Sequence, residues 1–210
     1  MTLQNRVTPL GDIVAAEARG LFTGNRGIIH DPATRTLLTR RWTNPAWLVC
    51  ALQWRDVRRD VMATRSWTEL FFLDEATALA AGHRPCFYCR RAAAEDFRAC
   101  FPRTRAAPPP SARDMDRTLH AERLQGRAKR LHDLPARSEP LPDGAFILQG
   151  GVPHLVFAGA ALPWSWAGYG APTKCRSDAR LVTPPSVVAA LRGGYRPAMH
   201  DSVVQTCGTR

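Results

Sequence analysis

Two cysteines separated by two residues, Cys86-Phe87-Tyr88-Cys89, stand between His83-Arg84-Pro85 and Arg90-Arg91. A pair of thiolates across such a tight turn can reach one zinc ion at about 2.3 Å per sulfur, and the preceding proline stiffens the approach. A redox pair and two incidental thiols are the competing readings. The redox reading lacks the strand-helix-strand surroundings it normally has. No second C-x-x-C exists, so further ligands must be single residues, drawn from His30, Cys50, His83, Cys100 and His120. Cys100 lies three helical turns beyond Cys89 and cannot share its ion if the helix is continuous. Cys50 is the favoured third ligand and His120 the fourth. Cys50 also has a plainer reading as a core thiol, because Leu48, Cys50, Leu52 and Trp54 share one face of an alternating strand. Cys175 and Cys207 read as lone thiols.

Three further groups could carry protons. Glu122 follows Met115 and Leu119 at helical spacing in a lane of apolar or small side chains, where desolvation would disfavour its charge and tune it as a general acid or base. An ion pair with Arg123, Arg127 or a remote arginine is the alternative. Glu69, just ahead of Phe71-Phe72, is a second candidate carboxylate with the same alternative. His30 reads as a ligand, a proton carrier or a structural hydrogen-bonding group. It follows Gly24-Asn25-Arg26-Gly27, which is either an anion-binding loop with Arg26 at its tip or an ordinary turn.

Charge points to partners. The 210 residues carry a formal +11, almost entirely arginine, since Lys129 and Lys174 are the only lysines. Residues 84–137 hold 12 arginines and Lys129 against six acids. Arg84, Arg90, Arg91, Arg127, Lys129 and Arg130, with Arg26 and an aromatic stacker in Tyr88, form the expected nucleic-acid face. A solvated surface inflated by GC-rich coding is the competing explanation. No apolar run is long enough to cross a bilayer, and the first residues lack a signal-peptide pattern, so the expectation is a cytoplasmic protein without a membrane partner.

These groups must be positioned by short elements. Residues 1–46 read as strands and turns, 47–54 and 57–64 as a hairpin, and 68–82 as an apolar strand followed by an alanine-rich helix with Asp74 and Glu75 at its N-terminus. A helix follows the cysteines to about Phe101. Another begins at Ser111, with Asp114 three residues on, and extends towards His132. A hairpin turns at Gly150-Gly151, and a last helix opens at Pro184-Pro185 and closes at Gly193-Gly194. Hairpins and short helices without strand-helix alternation give an α+β class with a small mixed or antiparallel sheet around a zinc knuckle. The division expected is 1–107 with the knuckle and 108–210 with the later helices and hairpin, packed as one unit.

The stretch Phe71-Phe72, Glu75-Ala76-Thr77-Ala78-Leu79-Ala80-Ala81-Gly82-His83-Arg84-Pro85-Cys86-Phe87-Tyr88-Cys89 resembles the second half of the Ada-type zinc domain of bacterial methyl-phosphotriester DNA repair proteins. The resemblance implies zinc on Cys86 and Cys89 and a DNA-facing role. It covers residues 71–89 only, and that family's first cysteine pair, which contains the methyl acceptor, has no counterpart. A second likeness is to the zinc nucleobase deaminases, whose P-C-x-x-C and H-x-E halves appear here as Cys86-x-x-Cys89 and His120-Ala121-Glu122, in reversed order. In mid-helix, residues two apart point about 200° from each other, so His120 and Glu122 would not face one metal. The function expected is a zinc protein recognising nucleic acid in DNA repair or modification. The alternative is a zinc-dependent hydrolase acting on a base or nucleoside through Glu122.

Overall fold

The computed structural model describes residues 2–58, 60–104, 107–136 and 139–207; Arg105, Arg137 and the side chain of Cys207 lie outside the described set. The first half contains β1 (Gln4–Val7), β2 (Ile13–Ala15), β3 (Phe22–Asn25), β4 (His30–Asp31), β5 (Thr36–Leu37), β6 (Leu48–Ala51), β7 (Leu70–Phe72), α1 (Glu75–Ala80), β8 (Arg84–Pro85) and α2 (Arg91–Cys100). Then come α3 (Ala112–Arg123), β9 (Leu124–Gln125), β10 (Ala128–Lys129), β11 (Phe146–Gln149), β12 (Val152–Phe157), β13 (Ala160–Ser165), β14 (Gly168–Tyr169), β15 (Arg180–Leu181), α4 (Pro185–Arg192) and α5 (Ser202–Cys207).

The first sheet has the order β2-β1-β7-β3-β6-β8 and is mixed, with β1 beside β7 and β6 beside β8 running parallel. The second, β14-β13-β12-β11-β15, is antiparallel and grows from the hairpin at Gly150-Gly151. The class is α+β with small sheets, as the sequence indicates.

Helix α1 lies where the hydrophobic clusters meet. Leu79 belongs to a cluster with Phe97, Met115 and Ile147; Ala76 and Ala80 pack with Phe146, Leu155 and Leu162; Ala78 packs with Val7, Leu70 and Phe72. All six of its residues are buried. A helix packed on every side favours small residues, because neighbouring backbones can then approach closely.

Its acidic N-terminus ties in the distant C-terminal segment. Asp74 caps the helix by accepting from the Thr77 amide (2.8 Å) and also accepts from the Tyr169 hydroxyl (2.7 Å) and the His200 amide (3.0 Å). Burial pushes the Asp74 carboxyl up from its ordinary value, against these hydrogen bonds. Glu75 accepts two bonds from Arg90 (2.6 and 2.8 Å), one from the Tyr195 hydroxyl (2.5 Å) and one from the Ala198 amide (2.9 Å).

Three expectations differ: first, α4 is not the last helix, since α5 follows it. The described residues of 57–64 do not pair with β6, whose two edges are already taken by β3 and β8. They form a loop in which Met62 has positive φ, as has Arg55 ahead of it. Helix α3 stops at Arg123 rather than near His132, because Gly126, at φ 63°, makes the tight turn of the β9–β10 hairpin.

Candidate metal centre

Cys50, Cys86 and Cys89 converge, with their sulfur atoms within 4.8 Å of one another. A tetrahedral zinc thiolate site has its sulfurs roughly 3.8 Å apart, a spacing within that limit. The sheet makes this convergence. Strand β6 runs parallel to β8 with Leu48 opposite Arg84 and Val49 opposite Pro85, and the next residues in register are Cys50 and Cys86. The Cys86 amide donates to the Val49 carbonyl (3.0 Å), which fixes the first thiol of the knuckle beside the third. The chain then turns through Phe87 and Tyr88, the Arg90 amide closes back on the Cys86 carbonyl (2.9 Å), and α2 begins.

Backbone amides favour thiolate at two of the sulfurs. The Tyr88 amide donates to Cys86 Sγ and the Ala51 amide to Cys89 Sγ, each at 3.4 Å. Hydrogen bonds from Cys50 and Cys89 hold Cys86 well below the usual thiol range. Cys50 is pushed up, first by its bonds to Cys86 and Cys89 and then by burial. Metal binding would replace this shared proton network with three metal–sulfur bonds.

The three thiols line a cavity of about 590 Å³. Thr23, Asn25 and Leu48 contribute from the sheet, with Trp54, Trp67, Phe71 and Tyr88 as aromatic walls and Glu69 as a buried carboxylate. The alternating face Leu48, Cys50, Leu52 and Trp54 is therefore the cavity face, while Val49, pointing the other way, is fully buried in the core. Trp54 and Tyr88 rings lie 5.8 Å apart, tilted by 58°. Trp54 Nε1 has no hydrogen-bond partner among the described residues. Glu69 Oε2 accepts from the Met62 amide at 2.9 Å, which anchors the loop carrying Val57 and Val61 over the cavity.

Other candidates lie elsewhere. His120 does not join the thiols: its Nδ1 is 2.7 Å from an Arg123 guanidinium nitrogen, and its ring packs on Trp42 and Trp47. Burial and Arg123 push its pKa down. Glu122 accepts from the Ser186 amide (2.9 Å) and hydroxyl (2.6 Å). It thereby caps α4, whose own N-cap, Pro184, makes no side-chain bond. His30 is held by Thr68 Oγ1 (2.7 Å) and the Thr64 carbonyl (3.1 Å). Cys100 reaches the Gly193 carbonyl, and His83 is buried between Trp47 and Phe72.

The expected basic face divides. Arg84 is buried and pairs with Asp116, and Arg90 is bound by Glu75 and stacks on Phe22, so neither guanidinium is free for phosphate. Arg91, Arg127 and Arg130 are exposed, as is Tyr88 at 69%. Arg26 and Arg123 are buried on the opposite side of the sheet from the thiols, beside the half-buried Lys129. Trp54 follows the alternating face that the sequence shows, whereas Trp67 escapes sequence reasoning because it comes from a loop without periodicity.

Compared with known proteins, the chain matches no family model, no curated protein and no solved structure.

Proposed function

We propose that this chain is a zinc protein that recognises nucleic acid by receiving one base in the cavity over Cys50, Cys86 and Cys89, and that it acts hydrolytically on that base. The supporting observation is a three-thiol centre on the wall of a ligand-sized aromatic cavity that also holds a buried carboxylate. Structural zinc sites close with four protein ligands, whereas catalytic ones keep three and leave a position open. No fourth ligating side chain accompanies the three thiols among the described residues. Zinc is the metal such a compact cysteine set suits, and when bound it would make water nucleophilic near neutral pH.

The chain's own groups supply the rest. Trp54 and Tyr88 offer faces on which a planar ring stacks, and Trp54 Nε1–H is a donor awaiting an acceptor on that ring. Glu69 is the proton carrier, in place of Glu122, which is committed to α4. Exposed Arg91 beside Tyr88, and Arg130 elsewhere on the surface, would meet phosphates. DNA is the favoured polymer through the local likeness of residues 71–89 to the Ada-type zinc domain, which belongs to this proposal.

A second reading, binding without hydrolysis, is favoured by one observation: the bond from the Met62 amide already gives Glu69 a structural task. Glu69→Gln separates the two, since the amide oxygen still accepts from Met62 while proton transfer is lost. The purified protein should hold one zinc per chain and convert a base in single-stranded oligonucleotides, detected by nucleoside mass spectrometry. Glu69→Gln should keep zinc and lose about 10²- to 10⁴-fold in turnover. Absence of stoichiometric zinc would overturn the centre, and unchanged turnover in Glu69→Gln would overturn the role of that carboxylate. Oligonucleotide binding with no base converted would establish the second reading.

A further inference from the structure

On the other face of the first sheet lies a pocket of about 380 Å³ lined by Arg26, Arg41, Arg123, Arg127 and Lys129, with Asp12 as the carboxylate on its rim. Trp47, which directly precedes β6 and faces opposite to Leu48 and Cys50, is flanked by two guanidinium groups: Arg26 and Arg123 each stack 3.8 Å from its ring centre. Both arginines are at least 98% buried, at 2% and 1% exposure. Buried guanidinium groups are ordinarily matched by carboxylates. Here neither is. Arg26 bonds to His83 Nε2 (3.2 Å) and the Gly11 carbonyl (2.9 Å), and Arg123 to the Gly82 and Pro45 carbonyls and His120.

Two donors remain over. Arg26 Nη2 and Arg123 Nε are buried without a hydrogen-bond partner among the described residues. Lys129 bonds to the Ala80 carbonyl, and its ammonium is pushed down to about 7, first by burial and then by Arg26 and Arg123. Arginine keeps its proton throughout the accessible pH range, so crowding costs free energy instead of discharging the groups. An anion in the pocket would relieve that cost.

We propose that this pocket is a binding site for a phosphoryl dianion, either free phosphate or the terminal phosphate of a phosphomonoester. The tetrahedral dianion carries two negative charges and several acceptor oxygens, which suits a pocket lined by four arginines and Lys129 better than a planar monoanion does. The site stands across the sheet from the thiol cavity and does not depend on its chemistry.

Calorimetric titration of the full zinc-loaded chain with inorganic phosphate, at pH 7.5 and constant ionic strength in chloride, tests it. Saturable one-to-one binding is expected, with acetate failing to compete. Lys129→Met, at a partly exposed hairpin position, should weaken binding about tenfold or more while keeping zinc content and the unfolding transition. Arg127→Ala, at the rim, should weaken it about two- to fivefold. Ribose 5-phosphate and a 5′-phosphorylated oligonucleotide, compared with its unphosphorylated twin, distinguish a small phosphomonoester from a nucleic-acid terminus. No saturable binding at millimolar phosphate, or binding unchanged in Lys129→Met, would overturn the proposal.

Discussion

Asp116→Asn is the substitution whose cost the structure specifies most closely. Asp116 receives Arg84 Nε and Nη2 at 2.7 and 2.8 Å, and the two side chains are only 6% and 8% exposed. Arg84 opens β8, two residues before Cys86, and its ring neighbour Phe87 lies 5.3 Å away. Asparagine preserves the shape but removes the charge, leaving Arg84 buried and uncompensated. Arg123, which Asp116 also helps to neutralise, loses a stabilising influence as well. Breaking one side of a buried pair costs about 3–5 kcal/mol. For a domain of this size each kcal/mol lowers the melting temperature by about 2–4 °C, so the transition should fall by about 6–20 °C. Replacing both partners, Arg84→Met with Asp116→Leu, removes the stranded charge and should recover all but about 1 kcal/mol. Urea unfolding of wild type, single and double variants measures this directly. Metal stoichiometry of the folded fraction should not change, because Cys86 is fixed by its own bond to Val49. A single-variant loss below about 1 kcal/mol, or a double variant as unstable as the single, would refute the assignment of this pair as the clamp on β8.

Glu122→Ala should cost about 1.5–3 kcal/mol by uncapping α4, with metal content and turnover per folded molecule unchanged; turnover lost at full stability would return Glu122 to the catalytic role. His83 is fully buried with its pKa well below the ordinary 6.5, by burial first and then by Arg26 and Arg123. Below about pH 6.5 the unfolded chain therefore takes up a proton that the folded chain refuses, and stability falls with acidification by up to about 1.4 kcal/mol per pH unit. His83→Gln, which still accepts from Arg26, should flatten that component between pH 7 and 5 in urea titrations; identical slopes would show that His83 is not its source.

The sequence by itself determined what lies within a few residues along the chain. Cys86-x-x-Cys89 marked two members of the cysteine cluster that could hold a metal ion, and Asp74 and Ser111 marked helix starts through side-chain oxygens that reach backbone amides three residues on. Gly150-Gly151 marked a hairpin. Each of these is a local backbone event, decided by conformational preference and hydrogen bonding at short range. Cys50 was legible as a candidate but not as a neighbour, since only the parallel pairing of β6 with β8 sets its thiol beside Cys86. Glu122 and Glu69 were both legible as candidate carboxylates, but not which of them faces the cavity: one caps a helix 64 residues away and the other borders the thiol cavity. The arginines show the same limit most clearly. Composition counts their charges, but only the fold separates Arg84 and Arg90, matched to carboxylates, from Arg26 and Arg123, buried without one. Long-range pairing chooses among many chemically equivalent partners, and that choice is made by how sheets and helices pack.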